Sequence, residues 1–90
     1  MSDLSTLIQT LLREKLSAAD VEVIDESHLH AGHAGARSGG KHFRVTVVSL
    51  AFEGKTPIAR HRLVNDALRE QLQSGAIHAL ALTTRSPSER

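Results

Sequence analysis

The sequence predicts a small α+β domain of order α-β-β-α-(short α)-β, with a three-stranded mixed sheet and helices on one face. Three observations carry this reading. Apolar residues recur with helical period near the N-terminus, and they alternate residue by residue over 42–49. A Thr-Pro pair at 56–57 then opens a second helical stripe. Ninety residues make one domain, spanning 1–90, with only a modest core to bury.

The first helix rests on Leu4, Leu7, Ile8, Leu11, Leu12 and Leu16, which follow amphipathic spacing. Ser2 or Asp3 is its expected cap, accepting from backbone N–H groups that have no intrahelical partner. Ser17-Ala18-Ala19-Asp20 breaks the pattern, and the β-branched run Val21–Glu26 reads as a first strand. A loop over 27–41 follows, long for a hairpin and of the length that usually carries function.

In the second strand Phe43, Val45 and Val47 share one face, and His42, Arg44 and Thr46 the other. It is expected to lie antiparallel to the first strand. Gly54-Lys55-Thr56-Pro57 is a turn, with Thr56 as N-cap and Pro57 at the first helical position, where its missing N–H costs nothing. The helix is expected to reach about Leu72 with Val64, Leu68 and Leu72 in line, a short helical turn near 72–75, and Gly75 as left-handed terminus. Residues 77–84 form a compact apolar run, expected to be a strand buried on both faces or nearly so. Residues 85–90 are a polar tail.

Composition excludes several classes of function. No apolar run approaches the roughly 20 residues that span a bilayer. The N-terminal MSDLSTLIQTLL has no basic region before its apolar residues, so a cytoplasmic protein without a secretory signal or membrane contact is expected. A net charge of +1 is too balanced to advertise nucleic-acid binding, and two phenylalanines as the only aromatics give little for base stacking. There is no cysteine, so a metal site must draw on His, carboxylates or a partner's sulfur. No nucleophile elbow, P-loop or dinucleotide fingerprint is present, and no catalytic role is expected.

The chemistry concentrates in the histidines. Residues 26–42 read ESHLHAGHAGARSGGKH and hold four of the six. His28, His30 and His33 are either solvated loop side chains or ligands, since H-x-H-x-x-H lacks the fixed i, i+4 geometry of helical metal motifs. A divalent metal on these three, with or without His78, is one reading. His61 falls on the stripe of Val64, Leu68 and Leu72 and is expected at the core's edge, with Arg60 and Arg62 on more exposed faces and Arg62 paired to Asp66. His78 has the parity of Leu80 and Leu82, at the rim of an apolar surface, and is either a neutral imidazole ligand or a histidine satisfied by a backbone carbonyl. His42 is expected to be plain surface.

These residues together resemble the BolA family over nearly the whole chain. The matching pieces are Asp25-Glu26-Ser27, His42-Phe43-Arg44-Val45 with Val47-Val48-Ser49, and Phe52-Glu53-Gly54. Arg60-His61-Arg62-Leu63-Val64-Asn65 and Ile77-His78-Ala79-Leu80-Ala81 complete the match. The resemblance implies a fold similar to the class II KH domain. Gly54-Lys55-Thr56-Pro57 lacks the second glycine of the KH G-x-x-G turn, so clamping of RNA backbone in the KH manner is not expected.

The resemblance further implies a non-enzymatic adaptor that forms a [2Fe-2S]-bridged complex with a monothiol glutaredoxin, in cluster trafficking or iron sensing. His78 and His30 are its implied metal ligands, with His28 and His33 able to substitute, and the partner and its glutathione supply the rest. Such a cluster needs four ligands, and imidazole in place of thiolate tends to raise its potential. A protonated imidazole cannot ligate, which makes that side acid-labile. The apo form is expected to be a monomer or weak homodimer. The alternative reading is a DNA-binding transcriptional regulator using the helix 57–72, with Lys55, Arg60, Arg62 and Arg69 on phosphate.

Overall fold

The computed structural model describes residues 4–26 and 41–89. The expected cap at Ser2 or Asp3 and the candidate ligands His28, His30 and His33 lie outside them. Within them the elements are α1 (Leu4–Leu16), β1 (Asp20–Asp25), β2 (Lys41–Val48), α2 (Pro57–Ala67), α3 (Arg69–Gln73) and β3 (Ile77–Arg85). Two 3-10 turns, Leu50–Phe52 and Pro87–Glu89, follow β2 and β3.

The sheet has the order β1-β2-β3. β1 runs antiparallel to β2 with Val21 opposite Val47 and Val23 opposite Val45, and β3 runs parallel to β2 after the helical crossover. The alternation in β2 does what its pattern predicts: Phe43, Val45 and Val47 are buried. Against that face pack Ile8, Leu12 and Leu16 of α1, one helical turn apart, and Val64 and Ala67 of α2 with Leu68 just after it. Ser17 ends α1 in the left-handed region at φ +50°. The buried Ser49 hydroxyl donates to the Leu16 carbonyl at 2.6 Å, tying the end of α1 to the end of β2.

The start of α2 is as expected, with the Thr56 hydroxyl accepting from the Ala59 N–H at 3.2 Å and Pro57 in the first turn. Its continuation differs. The helix expected to run to Leu72 is interrupted at Leu68, whose φ of −109° and ψ of 20° leave the helical region. The Leu68 side chain is fully buried, and bonds from Leu68 to Val64 and from Leu72 to Leu68 carry the path across the break. Gly75 follows α3 at φ +86°, the left-handed position assigned to it.

β3 is not buried on both faces. Ile77 is buried, but Ala79 and Ala81 are exposed and Leu80 and Leu82 half-buried. The reason is position: β3 is an edge strand, and the helical residues of the core pack on the face of Phe43, Val45 and Val47. Alanine contributes to an apolar run without needing burial.

The C-terminal residues are not a trailing tail. They close around Arg60, which is only 8 % exposed rather than on an outer face. Arg60 donates from Nε to the Lys55 carbonyl at 2.9 Å and from Nη1 to the Thr84 carbonyl at 3.3 Å. Both Nη atoms meet the Glu89 carboxylate, at 2.6 and 3.0 Å, and the guanidinium lies 6.0 Å from the Phe52 ring centroid. Arg60, Val64 and Ala67 form the inward stripe of α2, which leaves His61 exposed instead of at the core's edge. Asp66 pairs with Arg69 at 2.6 Å rather than with Arg62.

The two-pronged hydrogen bond from Arg60, helped by the Ser86 N–H, holds the Glu89 carboxyl down at about 2 against an ordinary 4.5. A depressed carboxyl stabilises the fold above its unfolded value and loses that contribution as pH falls through its folded one. Half the Glu89 side chain is in solvent, which screens the effect. Melting temperature measured against pH should therefore fall between about pH 4.5 and 2 more steeply in the parent than in Glu89→Gln. Parallel curves would remove Glu89 from the acid response.

Candidate metal centre

At the start of β2 and β3 the ladder slips by one residue. Lys41 pairs with Ile77, but His42 pairs with Ala79, so His78 is an extra residue with no partner position in β2. A bulge of this kind re-aims the side chain it carries. Strand parity assigns His78 to the face of Leu80 and Leu82, and the bulge breaks that parity. His78 is exposed, and its ring centroid lies 5.2 Å from that of His42, the planes inclined at 49°. His42 is accordingly half-buried beside another imidazole rather than plain surface. Ile77, 2 % exposed and part of the core, anchors the bulge from beneath.

Both ends of the segment 27–40 attach at this end of the sheet. The Glu26 N–H donates to the His42 carbonyl at 2.8 Å, and the Lys41 N–H to the Ala76 carbonyl at 3.3 Å. The local charges are matched: Arg44 Nε meets the Glu26 carboxylate at 3.0 Å, and Lys41 Nζ the Asp25 carboxylate at 3.5 Å. Beside the imidazoles a shallow groove of about 280 Å³ opens, floored by Ala79 and Ala81 and bordered by Glu26, His42 and Arg44.

The donor set decides what this end can hold. Among the described residues no three His, Cys, Asp or Glu converge, and the sequence has no cysteine. A [2Fe-2S] cluster takes four ligands. The described residues offer the exposed imidazole of His78, and the segment attached beside it carries three more histidines. This set fits a cluster whose remaining ligands come from another molecule. It does not fit one held by the described residues alone.

The cations assigned to phosphate do not gather into one stripe. Lys55 and Arg62 are exposed, Arg69 is exposed and paired with Asp66, and Arg60 is turned inward. Sequence reasoning missed the bulge, the His42–His78 contact and the partnership of Arg60 with Glu89. Only the spacing of Arg60, Val64 and Ala67 could have signalled the last, and its charge argued the other way.

Comparison with known proteins finds relatives of the chain. The BolA-like protein family model matches residues 12–89. Human BolA-like protein 1 is 48% identical over 82 residues, covering 91% of this chain and 57% of the human protein. SufE-like protein 1, chloroplastic/mitochondrial, of Arabidopsis thaliana is 41% identical over 87 residues, covering 91% of this chain and 23% of that protein. The chain thus spans less than two thirds of either relative's own length. The structure of the BolA domain of SufE1 from Arabidopsis thaliana superposes with a TM-score of 0.84 at 36% identity, covering 100% of this chain and 99% of that one.

Proposed function

Because this chain belongs to the BolA family, we propose that it is a non-enzymatic iron-sulfur adaptor, sharing a [2Fe-2S] cluster with a monothiol glutaredoxin in cluster trafficking or iron sensing. The observation that supports this reading best is the bulge. It turns His78 outward at the sheet end from which both exits of the histidine-bearing segment leave. His78 is one ligand and His30 the other, with His28 and His33 able to replace His30. Glutaredoxin and glutathione thiolates complete the set that a chain without cysteine lacks. The exposed position suits a bridging role, because a second protein can reach the same metal.

Among the described residues no helix is long and apolar enough to cross a membrane. A cytoplasmic setting is part of the proposal. One relative's name places that protein in chloroplasts or mitochondria. We do not extend the proposal to DNA, because Arg60 is spent on Glu89 and backbone carbonyls inside the fold.

The test is reconstitution. The apo-protein and an apo monothiol glutaredoxin are mixed anaerobically with iron, sulfide and glutathione, and visible absorption, circular dichroism and native mass are recorded. The expected product is a heterodimer carrying one [2Fe-2S] cluster, with a dichroism spectrum distinct from that of the glutaredoxin alone. A spectrum that stays that of the glutaredoxin at every mixing ratio rejects the proposal.

A further inference from the structure

The connection between β2 and α2, together with the first turn of α2, carries the two most exposed large hydrophobic side chains among the described residues, Leu50 at 72 % and Ile58 at 67 %. Aliphatic surface left in water is favourable to cover, and a rigid presentation lowers the cost of covering it. This connection is held firmly. Phe52 is fully buried beneath it, the Lys55 N–H donates to the Phe52 carbonyl at 3.1 Å, and Arg60 grips the Lys55 carbonyl from inside. Gly54 makes the turn at φ +72°.

The charges around it are unbalanced in one direction. Lys55 and Arg62 are exposed and make no ion pair among the described residues. Arg62 stands four residues beyond Ile58, on the same face of α2. Of the carboxylates at this end Glu89 is neutralised by Arg60, while Glu53 accepts from the Ser88 hydroxyl at 2.8 Å and keeps its charge, so the two cations still outnumber the one uncompensated carboxylate. The surface therefore offers aliphatic anchors flanked by free cations.

We propose that this connection is a second docking surface, which takes an acidic, aliphatic-bearing peptide segment of a partner protein. Charge complementarity requires the acidic residues, and Leu50 and Ile58 require apolar ones. Nucleic acid fits less well, since the exposed side chains here are aliphatic rather than the aromatics on which bases stack. The surface also lies at the far end of β2 from His78. Eight residues of strand separate the two ends by about 23 Å at about 3.3 Å per residue. A partner here leaves the imidazole end free, so one molecule can hold two proteins at once. The docking surface does not depend on the cluster reading and stands if that fails.

A displayed library of random 16-residue peptides, panned on the apo-protein, tests it. The selected peptides should be rich in Asp and Glu around Leu or Ile. Backbone amide shifts on binding should cluster within 50–62. Leu50→Ser/Ile58→Ser, which changes only exposed side chains, should weaken binding about tenfold or more while the melting temperature stays near the parent's. Lys55→Glu/Arg62→Glu should weaken the same peptides and reduce their salt dependence. Failure to enrich such peptides, shifts that map elsewhere, or full affinity in the Leu50→Ser/Ile58→Ser protein overturns the proposal. So does tighter binding at 50–62 by a 20-base-pair DNA duplex or by phosphatidylglycerol vesicles.

Discussion

His78→Ala is expected to bring the visible dichroism of the reconstituted mixture down to that of the glutaredoxin alone, with no change in the protein's melting temperature. The two halves of this result have separate physical causes. His78 is exposed and outside the ladder pairing, so its removal leaves the core and the sheet bonds intact, and exposed changes of this kind stay within about 0.5 kcal/mol. On the proposed reading, its loss takes away the one ligand assigned among the described residues. His78→Cys is the informative companion. A thiolate there should keep the cluster but add negative charge, moving the reduction potential downward. Unchanged spectra in His78→Ala would show that the imidazole at the bulge does not ligate.

Phe52→Ala should cost about 3–5 kcal/mol, the range for emptying a fully buried aromatic site. A domain of this size has about 5–15 kcal/mol in total, commonly at the low end, so the variant should be partly unfolded near physiological temperature. At about 4–8 °C per kcal/mol, thermal melts followed by far-ultraviolet dichroism should shift down by about 12 °C or more. The site is demanding because Phe52 fills the end of the core and carries the Arg60 guanidinium above its ring. Leu50→Ala, two residues earlier and 72 % exposed, is the control and should change stability by about 0.5 kcal/mol or less. Equal shifts for the two would contradict the burial pattern.

The legible parts of this fold are those where one local rule suffices. Helical period located α1, residue-by-residue alternation located β2 and its buried face, and Thr56-Pro57 located the start of α2. Leu68 carried no such mark. Neither glycine nor proline stands near it, and the break arises where a fully buried leucine joins two helical pieces. Arg60 was misread for a related reason. A charged residue on an inward stripe is expected to point outward unless its partner is known, and the partner is 29 residues away in a segment that reads as polar filler.

The site divides in the same way. The sequence by itself determined which side chains can ligate: six imidazoles, no thiol, and four of the six within one glycine-rich stretch. It also determined that any thiolate ligand must come from another molecule, since the sequence has no cysteine. Tertiary structure alone decided where His78 points. Parity along a strand is a local property, but a bulge is a mismatch between two strands, here β2 and β3, far apart in sequence. That one-residue slip takes His78 off the core face and sets its ring beside His42, at the sheet end where the histidine-rich segment begins and ends.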